Sequence, residues 1–526
     1  MGAAREGLGI RAAATIVASA AALPFVYLVW RVADFGWQPA IDIVVSSRTA
    51  NLIARTVGLA TAVTTASILI AVPVAWLTVR SDLPFGRLWT VLTALPLAIP
   101  TYVGSWAMIG ALGPRGMLQG WLEPFGIERI PELYGFFGAF IVLTLFSYPY
   151  VLLTVRASWR RLDPSLEEAS RTLGHSAART FWSVVLPQLR PAIVAGGLLV
   201  ALYTMSDFGA VSMLRYDTLT RAIFVQYRGA LNRGSAAALG LVLVGLTATV
   251  LSIEQRARRR DLHRLHGSGA RRAASVALGR WRWPALIGLG TLVTLALVVP
   301  MAVIVFWLQR GRAAGEPIWP ETSLIADSIT GSLLGATVTV LAALPVAIVI
   351  VRRPGRLARI VEQLSWSGYA LPGVVVALAL VFFGARQVTW AYQTLGMLVF
   401  AYAVLFLPQA IGSVRASLNQ VTPSVEEAAR VLGASRVSTF RRVLLPLIRP
   451  GLGAGWLLVA LTAMKELPAT LLLAPTGFST LATRVWNATA ENFMSRAAGA
   501  ALALVLLASL PTAILIAGEE RRRTSV

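Results

Sequence analysis

Long apolar runs constrain this chain more than any other feature of its sequence. Residues 285–307 and 497–518 are two such runs, and each reaches the roughly 20 residues that an α-helix needs to cross a bilayer. The runs are rich in Leu, Ala, Val and Gly, and they lack the alternating pattern of membrane β-barrel strands. Only 13% of the residues are charged, against roughly 25% in globular proteins. The sequence therefore predicts an all-α polytopic membrane protein.

Six apolar runs in each half of the chain predict about twelve transmembrane helices. They lie near residues 10–31, 52–79, 88–112, 135–157, 191–213, 235–254, 284–308, 329–351, 363–384, 392–413, 450–474 and 497–517. The first run follows Arg5 and Arg11 and also resembles a signal peptide. Because it continues through Trp30, we interpret it as the first membrane helix.

Arginine clusters follow every second apolar run and predict the orientation of the chain. Under the positive-inside rule, the links that hold these clusters and both termini face the cytoplasm. One outer link is an exception, since it carries Arg215, Arg221, Arg228 and Arg233. The rule and the attraction of arginine to anionic lipid explain the net charge of +23, so we expect membrane lipid and no nucleic acid as a partner.

A polar, charged stretch occurs twice. Residues 163–191, the first repeat segment, recur as residues 422–450, the second repeat segment, with 16 of 29 positions identical. Pro73 and Arg80 likewise correspond to Pro345 and Arg352. Both copies run in the same direction, which is typical of parallel repeats in transporters. We therefore predict two six-helix halves, 1–255 and 283–526, joined by an Arg-rich cytoplasmic linker at 256–282.

Each repeat segment predicts a short amphipathic helix that ends at a glycine. Pro164 and Pro423 suit the first helical turn, after N-caps at Asp163 and Thr422. Glu167 with Arg171 and Glu426 with Arg430 form i,i+4 pairs in the favourable order, and Gly174 and Gly433 then end the helix. Such a helix commonly rests on its own protein's surface. Here the surface residues are duplicated as well, which favours two matched contacts with a symmetric partner.

These residues resemble the coupling-helix signature of permease subunits in binding-protein-dependent ABC importers. The pattern E-A-A-x-x-x-G followed after nine residues by I-x-L-P reads here as Glu168-Ala169-Ser170 with Gly174, and as Glu427-Ala428-Ala429 with Gly433. Val replaces Ile in both copies and Ser170 replaces one Ala. The resemblance implies docking on an ATPase through Glu167, Glu168, Ala169, Arg171, Leu173, Gly174, Glu426, Glu427, Ala428, Arg430, Leu432 and Gly433.

The fusion of two halves resembles the ferric-iron type of these permeases, on the stretches 148–158, 205–214 and 465–486. Thiamine permeases share the fused plan and are the next closest. The resemblance implies a type I ABC importer permease fold in a bacterial cytoplasmic (inner) membrane. It also implies two copies of a cytoplasmic ABC ATPase, which hold ATP and Mg, and an extracytoplasmic solute-binding protein. No cofactor is expected on this chain.

Asp207 and Glu466 occupy the same repeat position, late in the predicted fifth and eleventh spans. Because a carboxylate in an apolar span is costly, we expect the two to face each other across the solute path, where they suit Fe³⁺ or a cationic organic ring. Alternatively, Glu466 pairs with Lys465 or caps a helix, and Asp207 lies in the outer interface. Tyr148, Tyr150 and Tyr203 add phenol oxygens to the path or anchor the chain at the membrane interface.

The arginines of the outer link, Arg215, Arg221, Arg228 and Arg233, predict either a docking surface for acidic patches of the binding protein or simple exposure. His263 and His266 in the linker are expected to be solvated, and no metal site is assigned.

Other function classes fit less well. An ion-coupled secondary transporter explains the spans and the acids, but it leaves the duplicated segments unexplained. A membrane enzyme is disfavoured because the three histidines lie apart from any cluster of acids, and the chain has no H-E-x-x-H motif and no cysteine. Lys465 is the only lysine and follows Met464, so no phosphate-binding G-x-x-x-x-G-K-[ST] loop exists. We therefore expect a transport subunit driven by an ATPase on another polypeptide.

Overall fold

A computed structural model describes residues 2–114, 116–126, 132–229, 233–261, 275–317 and 319–521. Within these ranges the chain forms α-helices and no β-strand, and one isolated parallel bridge joins Ser81 to Val276. His263, His266 and the rest of linker residues 262–274 lie outside the described residues. The prediction of an all-α chain is confirmed.

The described residues contain twenty-five α-helices. Up to residue 261 they are α1 Gly2–Phe35, α2 Trp37–Val45, α3 Ser47–Arg80, α4 Gly86–Ala94, α5 Thr101–Leu112, α6 Met117–Leu122, α7 Phe136–Trp159, α8 Pro164–Thr172, α9 Ala177–Thr180, α10 Leu186–Ser206, α11 Gly209–Met213, α12 Leu219–Gly229 and α13 Arg233–Asp261. From residue 282 they are α14 Arg282–Val293, α15 Val299–Ala313, α16 Thr322–Arg352, α17 Arg356–Ala370, α18 Gly373–Arg386, α19 Leu395–Gln420, α20 Pro423–Val431, α21 Arg436–Thr439, α22 Leu445–Met464, α23 Pro468–Leu473, α24 Leu481–Ala490 and α25 Met494–Arg521.

Short non-α turns connect several of these helices. Segments Phe181–Val185, Thr294–Val298 and Phe440–Leu444 are π-helical. Segments Leu95–Ala98, Glu123–Phe125 and Gly279–Trp281 are 3₁₀-helical.

Every predicted span overlaps an apolar helix. By length and composition, nine helices of the described residues are long and apolar enough to cross a membrane, and one bent pair passes the same test. Two shorter apolar helices, Gly373–Arg386 and Met494–Ser509, occupy the remaining predicted positions. The polytopic prediction is therefore confirmed, with corrections to several boundaries.

The third span of each half is broken, where the sequence predicted one continuous helix. Gly86–Ala98 and Thr101–Gly120 meet at a bend of 99°. In the second half α17 ends at Ala370 and α18 begins at Gly373. Pro100 and Pro372 lie at these breaks as the N-cap residues of the helices that follow. Since proline disfavours helical backbone in the residue before it, the break follows from the local sequence.

The fifth span of each half also ends earlier than predicted. α10 ends at Ser206 and α22 at Met464, and a short helix, α11 or α23, begins three or four residues later. Asp207 and Glu466 therefore lie in the breaks between helices and not inside spans. Carboxylates favour such positions because they accept hydrogen bonds from free backbone N–H groups.

The described chain divides into two compact units. Unit I comprises residues 47–222, 245–319 and 485–526, and unit II comprises residues 1–46, 223–244 and 320–484. Each unit therefore draws helices from both sequence halves, and unit I contains the first repeat segment while unit II contains the second. The two sequence halves, 1–255 and 283–526, therefore describe the repeat, and they do not coincide with the two compact units.

Unit II packs α1 against α16, α17, α18 and α19. The buried stripe of α1 includes Ala14, Ala18, Ala21 and Leu28. These residues recur three, four and seven positions apart, which places them on one helix face. Small side chains of this kind let membrane helices approach closely.

Unit I has a corresponding arrangement. α15 packs against α5 and α25, while α3, α7 and α10 pack against one another. Gly196 is required at the contact of α10 with α7, because a Cβ atom there would lie 2.8 Å from the Val151 Cα. The three helices α3, α7 and α10 form the support of the first repeat segment.

Candidate functional site

The two repeat segments fold into the same series of elements. The first consists of α8, α9, the π-turn 181–185 and the start of α10. The second consists of α20, α21, the π-turn 440–444 and the start of α22. The predicted amphipathic helices are present in both, and each segment continues directly into a membrane helix.

The N-caps of α8 and α20 differ. The Asp163 carboxylate accepts a hydrogen bond from the Ser165 N–H at 3.0 Å, and this bond lowers the pKa of Asp163. Thr422 occupies the N-cap position of α20, but its side chain caps no backbone N–H. Its hydroxyl lies 2.9 Å from the Ser424 hydroxyl. The N-cap prediction is confirmed for Asp163 and wrong in its hydrogen bond for Thr422.

Gly174 and Gly433 end the first helix of each segment, as predicted. Their φ angles are +84° and +82°, in the left-handed region that favours glycine. His175 N–H bonds the Ser170 carbonyl and Gly174 N–H bonds the Arg171 carbonyl, at 3.3 and 3.0 Å. The same pair of bonds recurs at Ala434 and Gly433. Each segment thus ends its helix in a Schellman motif, which turns the chain sharply.

The ion pairs of Glu167 and Glu426 are not those expected from the sequence. Glu167 lies 2.6 Å from Arg80, and Glu426 lies 2.8 Å from Arg352. The predicted partners, Arg171 and Arg430, are exposed and make no ion pair with these carboxylates. The helix-spacing rule is outweighed here because the arginine at the end of the second span lies closer and less exposed to water.

The tip of each repeat segment is exposed. Glu168 and Ala169 in the first segment, and Glu427 and Ala428 in the second, face away from the protein. Leu173 is 78% exposed and Leu432 is 86% exposed, at equivalent positions beside the capping glycines. An apolar residue next to exposed carboxylates, presented twice, forms a suitable docking surface for a protein partner.

The bases of the two segments are built from different side chains. Trp159 stacks on Phe181 in unit I, with ring centroids 6.2 Å apart. At the equivalent place in unit II, Leu418 and Leu444 belong to a buried aliphatic cluster against which Phe440 packs. Both arrangements fix the segment on the ends of membrane helices.

Asp207 is buried and accepts three hydrogen bonds. The Thr101 hydroxyl donates to its Oδ2, and the Ala210 and Val211 N–H groups donate to its Oδ1 at 2.9 and 3.4 Å. Thr101 is the first residue of α5, after the proline break. Asp207 therefore connects the break in the third span to the break after the fifth span.

Glu466 makes the corresponding connection in unit II. Its Oε1 accepts a hydrogen bond from the Ala469 N–H at 3.2 Å. A Cβ atom at Gly373 would lie 2.6 Å from the same oxygen. Gly373 is the first residue of α18 and the repeat equivalent of Thr101. The longer acid thus fills the space that the missing side chain leaves, and both acids cap helices, as the sequence allowed for Glu466.

The three tyrosines named from the sequence have different environments. Tyr148 is fully buried and donates to the Thr93 carbonyl at 2.6 Å, so its phenol oxygen holds the fold together. Tyr203 and Tyr150 are partly exposed, with ring centroids 5.4 Å apart. We therefore keep Tyr203 and Tyr150 as pathway candidates and assign Tyr148 a structural contact.

One further polar pair was missed in the sequence. The Gln409 side-chain amide donates to the Thr462 hydroxyl at 3.2 Å in unit II. These residues stand 259 positions after Tyr150 and Tyr203. Applying the repeat offset to the tyrosines would have found them. Each unit therefore has a side-chain pair one helical turn before its acid, aromatic in unit I and amide–hydroxyl in unit II.

The outer-link arginines mostly interact within the chain. Arg215 lies over the Tyr134 ring at 5.0 Å, Arg221 pairs with Asp217, and Arg228 lies over the Phe224 ring at 5.7 Å. The side chain of Arg233 lies outside the described residues. Among the described residues, no three His, Asp or Glu side chains come together as metal ligands would.

Comparison with known proteins identifies the family. Residues 64–260 and 335–518 match the family described as binding-protein-dependent transport system inner membrane component, and each matched range contains one repeat segment. The chain is 34% identical over 499 residues to the Fe(3+)-transport system permease protein FbpB 2 of Haemophilus influenzae, which covers 94% of this chain and 95% of that protein.

Two other relatives match less of their length or of this chain. The ferric transport system permease protein FbpB of Actinobacillus pleuropneumoniae is 24% identical over 411 residues, 74% of this chain and 59% of that protein. The sulfate transport system permease protein CysT of Escherichia coli is 30% identical over 189 residues, 36% of this chain and 67% of that protein. The family predicted from the repeat segments is confirmed. The chain belongs to the inner membrane components of binding-protein-dependent transport systems, and it is the permease subunit of an ABC importer and not an enzyme.

Proposed function

We propose that this permease passes ferric iron from a solute-binding protein to the cytoplasm, driven by two copies of an ABC ATPase. The observation that carries the proposal is the pair of repeat segments, which have the same backbone course and the same exposed tips. One ATPase docks on each tip, so that closure of the ATPase pair moves both segments. The chain itself has no phosphate-binding lysine loop, and ATP and Mg belong to the partner.

Ferric iron is supported by the relatives that match most of the chain. The relative named for Fe(3+) transport matches 94% of this chain, whereas the relative named for sulfate matches 36%. Permeases named for other solutes, such as sulfate, are thus similar to only part of this chain. Similarity across both halves favours iron.

The carboxylates of Asp207 and Glu466 are proposed as transient ligands on the iron path. Carboxylate oxygens are hard donors that suit a trivalent ion. Both already accept backbone N–H bonds, which compete with a bound cation and weaken its binding. A path needs weak sites, because a tight site would trap the ion. Tyr203 with Tyr150, and Gln409 with Thr462, add neutral oxygens beside these acids.

The orientation follows the positive-inside rule, with both termini in the cytoplasm. The repeat segments then face the ATPase and the outer link faces the binding protein. Arg215, Arg221, Arg228 and Arg233 are proposed to attract acidic patches on that protein, chiefly to guide its approach.

Uptake by the reconstituted complex tests the assignment. The complex in proteoliposomes receives binding protein loaded with radioactive ferric iron, and native mass measurement gives the number of ATPase copies. In the double variant Asp207→Asn with Glu466→Gln, the rate of iron uptake is expected to fall about tenfold or more, because two hydrogen-bonded carboxylates lose their charge. This variant should keep its ATPase copies.

The matched control is Asp327→Asn, which alters a half-buried carboxylate that accepts the Ser479 N–H at 3.1 Å. Normal iron uptake by the double variant would remove the two acids from the path. Saturable thiamine uptake without iron uptake would favour the thiamine type. A fully active transporter purified without an ATPase would contradict the class of mechanism.

A further inference from the structure

The ends of two long membrane helices are tied to the repeat segments by ion pairs. Arg80 is the last residue of α3, and Arg352 is the last residue of α16. Arg80 contacts Glu167 of α8, and Arg352 contacts Glu426 of α20, at 2.6 and 2.8 Å. Each contact therefore joins the end of the second span to the helix of the repeat segment within the same unit.

Both ion pairs are largely removed from water. The arginine side chains are 11% and 15% exposed, and the glutamates 26% and 21%. A partly buried pair with close contact holds its geometry better than a pair between freely moving surface chains. Loss of one partner leaves the other as an uncompensated charge, so each pair behaves as one unit.

The sequence that follows the arginines differs between copies while the pairs are the same. Ser81, Asp82 and Leu83 follow Arg80, whereas Arg353, Pro354 and Gly355 follow Arg352. The two members of each pair lie 87 and 74 residues apart, so no local helix rule requires them. The repeated element is thus the contact itself.

A second attachment changes how a repeat segment can move. Each segment continues into the fifth span through a π-turn, 181–185 or 440–444. A π-turn has weaker regular geometry than an α-helix and is often found at functional sites. The packing at Phe181 and Phe440 holds the part of each segment that contains this turn. The ion pair adds a separate connection, between the first helix of the segment, α8 or α20, and the end of the second span.

We propose that Arg80 with Glu167, and Arg352 with Glu426, are the positioning residues that transmit motion of each repeat segment to the second span of its unit. The inference rests on the proposed function, because the motion comes from the docked ATPase. The arginines act through the segment and touch neither solute nor nucleotide. Each pair makes the repeat segment and the membrane helix move as one body.

A double-mutant cycle tests the transmission. Arg80→Gln and Glu167→Gln are each expected to lower the iron transported per ATP about fivefold, and the double variant should lose no more than either single variant. Arg80→Lys keeps the charge without the planar fork and should recover part of the loss. Arg352 and Glu426 form the second cycle. Additive losses in the double variants, or an unchanged ratio in all of them, would overturn the proposal.

A distance measurement gives a readout that does not depend on iron. The chain has no cysteine, so cysteines placed at Thr78 and Ser165 carry the only spin labels. In the otherwise unchanged complex, the distance between α3 and α8 should stay constant when an ATP analogue binds. In Arg80→Gln it should change and broaden. An equally constant distance in the variant contradicts the proposal.

The control is Arg415→Gln, which breaks the ion pair of Arg415 with Glu362 at 2.7 Å without touching a repeat segment. This variant should keep the ratio of iron to ATP. If the unaltered complex shows no ATP-driven iron uptake, the proposed function fails, and the spin-label distances still decide on the ion pairs.

Discussion

The two repeat segments agree at their exposed tips and differ at several of the residues that support those tips. Trp159 at the base of the first corresponds to Leu418 in the second, and buried Ser170 corresponds to Ala429. The exposed residues Glu168, Ala169 and Leu173 recur unchanged as Glu427, Ala428 and Leu432. Packing constrains buried residues, whereas a partner constrains exposed ones. The comparison therefore supports the proposal that one kind of partner docks on both tips.

The ion pairs show a second difference between the copies. Arg352 also donates to the Leu418 and Val421 carbonyls at 3.1 and 2.7 Å, and thereby caps the end of α19. Among the described residues, Arg80 donates only to Glu167, and its carbonyl accepts from the Val276 N–H at 2.7 Å. The end of the linker thus helps to hold the first arginine, whereas carbonyl groups at the end of α19 hold the side chain of the second.

The largest effect is expected when the turn at Gly174 and Gly433, which the two segments share closely, is disrupted. Gly174→Pro and Gly433→Pro replace φ near +80° by the proline value near −65°, at a cost of about 3 kcal/mol or more. The turn then cannot form, the tip is displaced, and stimulation of ATP hydrolysis by the loaded binding protein should disappear. The measurement is ATP hydrolysis by proteoliposomes, with membrane insertion checked separately.

Alanine variants at the same positions are expected to show a smaller loss of stimulation than the proline variants. Gly174→Ala and Gly433→Ala cost about 1–2 kcal/mol, because alanine reaches the left-handed region with less strain. The control Gly453→Ala changes a helical glycine with open space around its Cα and should be silent. Unaltered stimulation in both proline variants would show that the shared turn is not needed for coupling.

A smaller effect is expected from exchanging the two acid sites. Asp207→Glu lengthens the acid against Thr101 and should lower iron uptake about tenfold by disturbing a buried hydrogen-bond set. Adding Thr101→Gly recreates the arrangement of Glu466 with Gly373 and should restore uptake to within about threefold.

The reverse exchange completes this test. Gly373→Thr places a side chain where the Glu466 carboxylate lies, and adding Glu466→Asp should relieve the conflict. If iron uptake by Asp207→Glu with Thr101→Gly does not exceed that of Asp207→Glu, and Gly373→Thr with Glu466→Asp does not exceed Gly373→Thr, the two acid sites do not have equivalent geometries.

The smallest effect concerns the buried difference inside the segments. The Ser170 hydroxyl bonds Thr180 and His175 at 3.0 and 3.1 Å, whereas the buried Thr439 hydroxyl has no partner among the described residues. Ser170→Ala should destabilise the first segment by about 1 kcal/mol, and Ala429→Ser should stabilise the second by a similar amount.

Hydrogen exchange of the backbone amides in residues 163–185 and 422–444 measures this local stability. The two substitutions should bring the protection of the two segments closer together, with transport unchanged. Equal destabilisation by both substitutions would show that the space around residue 429 does not admit a hydroxyl.

Much of the fold was predictable because its causes are local. The membrane bilayer requires long apolar helices, so runs such as 52–79 and 392–413 located α3 and α19 directly. Gly174 and Gly433 were predictable as helix ends because no other residue adopts the required turn so easily. Asp163 was predictable as an N-cap for the same local reason.

Contacts between distant residues were not predictable in the same way. The helix-spacing rule assigned Glu167 to Arg171, but the structure places Arg80 beside it. The apolar runs also concealed the breaks at Pro100 and Asp207, since short apolar helices continue the hydrophobic pattern on both sides. Hydropathy indicates whether a segment lies in an apolar environment, but it does not show where the helix axis changes direction.

The sequence by itself determined the class of protein, the repeat and the residues at the tips of the repeat segments, because each depends on composition or on residues near one another in the chain. Only the tertiary structure decided that α1 packs with α16 in unit II, that Arg80 and Arg352 hold the repeat segments, and that Asp207 meets Thr101 while Glu466 occupies the space at Gly373. These contacts depend on helix packing across many tens of residues. A pairwise contact of that kind has no period or spacing in the sequence from which to infer it.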